Sequence, residues 1–498
     1  MKYSITILPK QEILYAEEGE TLLDVLARAK YYLPASCGGK GTCGKCKVKL
    51  IEGRAENVTP DQEGYVLSCK AKICGDLTVF LPTQTGAGLT DFSERTMQSE
   101  KTGFGVSLDV GTTTLAACLI DLHTGETIRK ISALNPQGVY GADVLSRIQA
   151  CRDGKLALLQ QLILNETQEL LKTLSNGQEI EELVVSANTT MLHLFLGINP
   201  ETIGVYPFTP VFTQTQTVDG ATLGLSVKKV RLLPSVSGYI GSDITAGILS
   251  CGMSQSEKTE LLVDIGTNGE IVLSHKGNLY ATSTAAGPAL EGACIECGMG
   301  GVSGAIDKVY IKNEELCFTT IENQPPKGIC GSGLIDFMSV LMQEQLIDEN
   351  GTFNEETNSP LKKRLVEDKI YLTDTVYLSQ QDIRQFQLAK AAISAGIETL
   401  LIECGVDKTQ VETLYIAGGL GYFMNVENAA KTGLLPVALS HKAKAVGNSS
   451  LSGARICLLN EQAQKNIEDI ASKTQIVELS FSKTFQDLYV ENMYFEEL

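Results

Sequence analysis

Four cysteines, Cys37, Cys43, Cys46 and Cys69, carry the most specific chemistry written in this 498-residue chain. Five residues separate the first two, two separate the second from the third, and 22 separate the third from the last. Four thiolates on one short segment make a closed iron–sulfur or zinc site. The loop SCGGKGTCGKC places Gly38, Gly39, Gly41 and Gly44 among these ligands. Glycine lets the backbone wrap closely and turn peptide N–H groups toward sulfur, which stabilises an anionic [2Fe–2S] cluster. The first gap is one residue longer than the plant-type spacing, which keeps the cluster type and shifts the match to other subfamilies. Zinc is the alternative ligand, but zinc folds usually pair two knuckles and this loop holds one CxxC. Cys74 lies outside the pattern. The nine later cysteines are scattered and read as small buried apolar residues. One pair, Cys294 and Cys297, has CxxC spacing without a basic neighbour in the sequence, so it reads as structural.

A second chemistry is written twice. TGFGVSLDVGTTTLAACLIDLHTG is a strand, a turn built on Asp109, Gly111, Thr112 and Thr113, and a second strand. About 155 residues later ELLVDIGTNGEIVLSHKG repeats the design with Asp264, Gly266, Thr267 and Asn268, which an internal duplication explains. The glycines permit tight hairpins, the threonines and asparagine offer hydroxyl, amide and N–H groups to phosphate oxygens, and the aspartates suit Mg²⁺ held through water. Two such hairpins face to face would clamp ATP. In TLYIAGGLGYF a strand runs into Gly418 and Gly419, where missing side chains would admit adenine or ribose; alone, this would read as an ordinary strand-to-helix turn. The chain contains no GxxxxGK[ST] loop, which argues against a P-loop ATPase.

These motifs need elements to hold them. YSITIL and EILYA alternate like paired strands, EEGETLLDVLARAKYYLP reads as a helix begun near Thr21 and stopped before Pro34, and CKVKLIEG reads as a third strand. That order predicts a small α+β unit of β-grasp form over residues 1–82. Residues 83–103 are polar and aperiodic and read as a flexible linker with a span of roughly 25 Å. The α/β remainder divides at the repeat into lobes 104–257 and 258–498. KLALLQQLILNETQELLKTL has the period of a packed helix, and His193, in TTMLHLFLG, reads as a satisfied core residue. A formal charge of −18 argues against nucleic acid, despite Lys40, Lys45, Lys47 and Lys49 near the thiol loop. The sequence lacks a long apolar run or a signal-like start, so the expected setting is cytoplasmic, away from membranes.

The paired hairpins and the Gly418–Gly419 turn resemble the acetate kinase, sugar kinase, Hsp70 and actin superfamily, which implies a two-lobed actin-like (RNase H-like) ATPase. YIGSDITAGILSCG resembles the sugar-kinase stretch whose aspartate is the general base, which nominates Asp243 to orient attacking water, although a helix N-cap explains an Asp there as well. Joined to the ferredoxin-like unit, and with SANTTMLHLFLG, AAGPALEGACIECGMGGVSGAI, GICGSGLID and VGNSSLSGA, the whole chain resembles the reductive activators of corrinoid enzymes. The resemblance implies one-electron reduction of an inactive Co(II) corrinoid protein of a methyltransferase system to Co(I), coupled to ATP hydrolysis. It also implies an upstream low-potential electron donor and a homodimer. Two departures stand out. Larger relatives carry a separate middle domain where this linker runs straight into the first ATPase strand, and the CxxCxxCxxxCP run of [4Fe–4S] relatives is missing. The alternatives left open are an ATP-dependent electron donor to a non-corrinoid metalloenzyme, a redox-sensing ATP-regulated binding module, and a small-molecule kinase. Cys74→Ser is expected to keep the iron and sulfide content of the purified protein, whereas Cys69→Ser is expected to lose it; iron and acid-labile sulfide assays read both.

Overall fold

The computed structural model describes residues 1–33, 35, 37–81, 90–92 and 100–496. The first alternating segments form β1 (Lys2–Leu8) and β2 (Glu12–Glu17), paired antiparallel with Ile5 opposite Leu14. α1 (Leu22–Arg28) begins at Thr21, whose hydroxyl accepts the Asp24 N–H at 3.2 Å. It stops well short of Pro34, earlier than expected. Lys30 turns into the left-handed region at φ 64° and the Tyr31 N–H returns to the Leu26 carbonyl at 2.8 Å, a closure that ends a helix. β3 (Lys47–Glu52), β4 (Tyr65–Leu67) and β5 (Leu77–Phe80) complete a sheet in the order β2-β1-β5-β3-β4. The apolar face of α1, with Leu22 and Leu26, covers Ile5, Ile7, Val48 and Val79 of that sheet, all buried. This is the expected β-grasp unit.

Most of the predicted linker, residues 83–103, lies outside the described residues. Its described part is not free coil. Phe92 is buried and bridges Gly447, the Asn448 N–H donates to the Asp91 carbonyl at 2.9 Å, and the Lys130 ammonium lies 4.5 Å from the Phe92 ring centre.

Two six-stranded sheets follow. The first contains β6 (Phe104–Val110), β7 (Thr114–Asp121), β8 (Thr127–Leu134), β9 (Ile180–Ala187), β10 (Gln216–Asp219) and β11 (Lys229–Leu232), in the order β8-β7-β6-β9-β11-β10. The second contains β12 (Glu260–Ile265), β13 (Gly269–His275), β14 (Asn278–Thr284), β15 (Thr413–Ala417), β16 (Ala443–Gly447) and β17 (Gln475–Ile476). Its order is β16-β15-β12-β13-β14-β17. In each sheet an antiparallel three-strand meander offers its first strand to a parallel partner, β9 for β6 and β15 for β12. A second parallel strand then follows, β11 or β16. The shared order is the structural form of the duplication read from the two Asp-Gly-Thr hairpins.

Around these sheets, α2 (Leu156–Ser175) buries Leu159, Ile163, Leu170 and Leu174, as its period predicts. In α3 (Thr189–Leu196) the His193 ring meets the Thr189 carbonyl at 2.7 Å, accepts the Val211 N–H at 3.1 Å and stacks on Phe212. It is a satisfied core residue, as expected. α4 (Ser242–Cys251) lies in the first repeat, while α5 (Gly418–Phe423) and α6 (Ser449–Leu459) belong to the second. The division at 257 separates the repeats in sequence but not in the core. α6 packs on α4 and on β6 and β9, and Ile120, Ile244, Leu262, Leu451 and Leu458 share one apolar cluster. The two helices cross at small residues: a Cβ on Gly453 would lie 2.2 Å from the Ala246 carbonyl oxygen.

Alanine is the better helix former by about 1 kcal/mol, so an uncrowded site would gain stability from it. The crossing instead predicts that Gly453→Ala lowers unfolding free energy by about 1–3 kcal/mol. A urea melt reads the sign.

Candidate functional site

The four predicted thiol ligands come from two places, the loop after α1 and the turn after β4. Gly38, Gly39, Gly41 and Gly44 all take positive φ, between 62° and 83°, the conformation that lets this loop fold round its sulfurs. The thiols form two pairs, Cys37 with Cys43 and Cys46 with Cys69, and Cys37 is near enough to act on Cys69. Burial works to raise the Cys37 thiol, but the peptide N–H groups of Cys43 and Thr42 overcome it and hold the thiol down to about 6. Burial and the neighbouring Cys46 push Cys69 up to about 12. Two such thiol pairs match a [2Fe–2S] cluster, in which each iron takes two sulfurs, and the N–H donors at Thr42 and Cys43 suit its negative charge. Cys46 and Cys69 are buried while Cys37 and Cys43 are half-buried, so one edge of the site is nearer to solvent. Cys74 turns away and donates to the Arg54 carbonyl at 3.3 Å.

This loop rests on both lobes. On the first, Gly38 packs so closely that a Cβ would lie 3.2 Å from the Tyr140 carbonyl oxygen, and beside the loop the Tyr140 hydroxyl donates to Asp24 of α1 at 3.3 Å. On the second, the Lys45 ammonium donates to the Ile295 carbonyl at 2.9 Å. The Cys294–Cys297 segment therefore does have a basic neighbour, Lys45, supplied by the thiol domain; burial still outweighs it and raises both thiols.

Between the lobes the two hairpins face one another. Asp109, at the end of β6, accepts the Asn448 amide at 2.8 Å and the Ser450 hydroxyl at 2.7 Å, both from the VGNSSLSGA segment. Asp264, at the end of β12, stands opposite Glu270 in the β12–β13 ladder, an arrangement that sets like charges side by side. Gly418 opens α5 at φ 84° against Asp264, where a Cβ would lie 2.8 Å from its carboxyl oxygen. Gly419 follows it, exposed, in the same helical turn. Gly111 tucks under the Thr114 carbonyl oxygen, 2.7 Å from where its Cβ would be. Thr112 is held through its hydroxyl by Asn188 at 3.2 Å and through its carbonyl by the buried Arg147 guanidinium. Gly266 donates to the Asn268 carbonyl at 2.9 Å, closing the second hairpin. One oxygen of Glu291 accepts both the Thr113 and the Thr267 hydroxyls, each at 3.0 Å.

Asp243 lies inside the first turn of α4, whose cap position is Gly241. The N-cap explanation therefore fails. Its carboxyl accepts the Ile244 N–H at 2.9 Å and faces the other acids. Burial pushes Asp243 up to about 8, with Asp264 and Asp109 adding to it, and pushes Asp264 up to about 7, with Asp109 and Glu291 adding. Burial also raises Asp109 against the pull of Ser450 and Asn448, and raises Glu270 well above the carboxylate range beside Asp243 and Asp264. The three aspartates keep intermediate exposure because the cleft is open, while protein on the remaining sides supplies the desolvation. The structure thus gathers Asp109, Asp243 and Asp264 in one cleft. Sequence reasoning missed Glu270, Glu291, Asn448, Ser450, Asn188 and Arg147. Five of them lie in segments already conspicuous in the sequence: Asn188, Glu270, Glu291, Asn448 and Ser450. Period and spacing gave no reason to aim them here.

The sign of the pH effect follows from these raised carboxyls. The folded protein holds protons that the unfolded chain has released, so their stabilising contribution is complete below about pH 4 and is lost as pH rises through about 7 to 8. Thermal melts without divalent cation are expected to fall over that window. Added Mg²⁺ should raise the melting temperature more at high pH than at low pH, and Asp264→Asn should flatten both trends.

Three family descriptions match the chain in order. They are a 2Fe-2S iron-sulfur cluster binding domain over 5–74, the RACo middle region over 104–256, and the C-terminal domain of RACo, the ASKHA domain, over 258–498. The middle region expected to be missing is thus present, and it is the first lobe. The corrinoid activation enzyme RamQ of Eubacterium limosum is 32% identical over 424 residues, covering 80% of this chain and 71% of that protein. A Co(II) methylated amine-specific corrinoid protein reductase of Methanosarcina barkeri is 24% identical over 78% of this chain and 76% of its own. The solved structure of a reductive activator for corrinoid, iron-sulfur protein superposes with a TM-score of 0.73 at 28% identity, covering 99% of this chain and 98% of that one. With the thiol loop, the paired hairpins and this end-to-end likeness in place, the chain belongs to the family of ATP-dependent reductive activators of corrinoid proteins.

Proposed function

We propose that this chain reactivates a corrinoid protein of a methyltransferase system by one-electron reduction of Co(II) to Co(I), driven by ATP. When bound at Cys37, Cys43, Cys46 and Cys69, the [2Fe–2S] cluster supplies electrons one at a time, and a low-potential donor outside this chain replenishes it. A plant-type centre lies near roughly −400 mV. A step about 250 mV further uphill needs roughly 6 kcal/mol, at about 59 mV per tenfold change. ATP supplies this only if its states differ in how they engage the corrinoid partner, since a ligand indifferent to two states shifts neither.

Within the cleft, Thr112, Thr113, Thr267 and Asn268 bind phosphate oxygens at the hairpins shaped by Gly111 and Gly266, and Gly418 and Gly419 admit the nucleoside. Asp109 and Asp264 would hold Mg²⁺ through water, and Asp243, whose carboxyl faces both of them in the cleft, orients the water that attacks the terminal phosphate. Acids gathered with so little compensating charge favour a dication. The functional units are the carrier (1–82), the linker (83–103) and the lobes (104–257 and 258–498), working as a cytoplasmic homodimer. No helix among the described residues is long and apolar enough to cross a membrane.

The observation that carries this reading is the seating of the thiol loop on both ATPase lobes, Gly38 against the Tyr140 carbonyl and Lys45 on the Ile295 carbonyl, in a chain matched end to end by a reductive activator. The test mixes cluster-loaded protein, a Co(II) corrinoid protein and a low-potential reductant, with and without Mg-ATP, and follows the corrinoid visible spectrum. Co(I) is expected only with ATP, and Asp109→Ala and Asp264→Ala variants that keep their iron should be slower by at least about a hundredfold. Equal rates without ATP, or full activity in those variants, would refute the reading.

A further inference from the structure

Glu291 closes the 3₁₀ turn Pro288–Glu291 and occupies an unusual position. A single carboxylate oxygen takes the hydroxyl protons of Thr113 from one lobe and Thr267 from the other, each at 3.0 Å. Gly266 lies alongside, with a Cβ position 3.7 Å from the second carboxyl oxygen. These are the two hairpins whose hydroxyls suit phosphate. A threonine hydroxyl has one proton to donate, so neither residue can serve Glu291 and a phosphate oxygen at once.

The segment that follows Glu291 is stiff. Gly292 is so enclosed that a Cβ would lie 2.6 Å from the Met299 nitrogen, the Ala293 N–H donates to Pro288 at 3.1 Å, and the Gly298 N–H donates to Ile295 at 3.0 Å. Ile295 is buried, and its carbonyl accepts the Lys45 ammonium at 2.9 Å. Lys45 stands between Cys43 and Cys46. A single short run of chain therefore touches the phosphate hairpins at one end and the thiol loop at the other.

We propose that Glu291 is the positioning residue that couples nucleotide to cluster: its carboxylate holds the place of a phosphate oxygen, nucleotide displaces it, and the 291–295 segment carries the displacement to Lys45. This rests on the ATP and cluster sites assigned above. By linkage, the coupling runs both ways, so whatever strengthens the Lys45–Ile295 contact weakens nucleotide binding by the same factor.

The test uses full-length, cluster-loaded protein and the Mg²⁺ complex of a non-hydrolysable ATP analogue. Calorimetry reads affinity, and hydrogen exchange reads residues 37–46 and 292–298. In the unmodified protein the analogue should loosen protection of 37–46. Glu291→Ala should bind the analogue roughly 5- to 100-fold more tightly, with 37–46 already loose and no longer responsive. Glu291→Gln keeps an oxygen for both hydroxyls and should restore protection of the nucleotide-free protein. Lys45→Ala should still bind the analogue, while the response of 37–46 is lost. A Glu291→Ala variant with unchanged affinity, or with an unchanged response at 37–46, would overturn the coupling, as would one impaired in ATP hydrolysis alone. Unmodified protein that binds no analogue would overturn the ATP assignment and this inference with it. Tight binding with an unresponsive thiol loop would overturn this inference only.

Discussion

Negative charge held in one cleft is the constraint round which the ATPase half is arranged. Asp109, Asp243, Asp264, Glu270 and Glu291 approach one another there, and the Arg147 guanidinium pulls Glu291 down against its burial. Such a set is unfavourable unless protons or cations neutralise it. The fold meets this cost with rigid supports. The Ser450 and Asn448 donors on Asp109, the threonine hydroxyls on Glu291 and the Arg147 tether to Thr112 each fix one wall of the cleft. A site that repels itself when empty has a reason to welcome a metal-bound nucleotide, and a binding event of that kind is one that can do work elsewhere.

The duplication explains why the cleft exists but not why its halves differ. Both repeats carry an aspartate one residue before the end of their first strand, and both pair that strand with a parallel partner from later in the repeat. Across the hairpin, however, Asp264 meets Glu270 whereas Asp109 meets Ala116. The supports of Asp109 come from α6 and the residues before it, on the opposite repeat. Helix α6 therefore does two jobs. It shares an apolar core with the first lobe, and it delivers Ser450 to the first lobe's aspartate. The Asp91–Phe92 contact with Gly447 and Asn448 ties the segment after the thiol domain to this same junction.

Electron transfer from a buried thiol site needs one edge near the acceptor, and the half-buried Cys37 and Cys43 leave such an edge while Cys46 and Cys69 face inward. The same loop is held by the Lys45 hydrogen bond to Ile295 and by the close packing of Gly38 on the Tyr140 carbonyl. Contact between carrier and ATPase is thus made beside the sulfurs as well as along α1 and just past its end, where Asp24 accepts the Tyr140 hydroxyl and Lys30 pairs with Glu169 at 3.4 Å. This is the geometry that a nucleotide-dependent change in the reach of the carrier would require.

What the sequence determined by itself was local. The thiol spacing, the glycines that take positive φ in that loop, the strand–turn–strand form of both hairpins and the packed period of α2 all depend on neighbours within a few residues. Short-range sterics and periodicity write them legibly. The end of α1 was misjudged because a left-handed Lys30, with no glycine to announce it, closes the helix. The tertiary structure alone decided which acids share the cleft, that Asp243 faces it instead of capping α4, and that Glu291 and Lys45 stand at opposite ends of one stiff segment. Residues such as Asp109 and Ser450 are separated by more than three hundred positions. No local propensity records a contact of that kind, because the energy that makes it comes from the packing of helices and sheets that meet only in the folded chain.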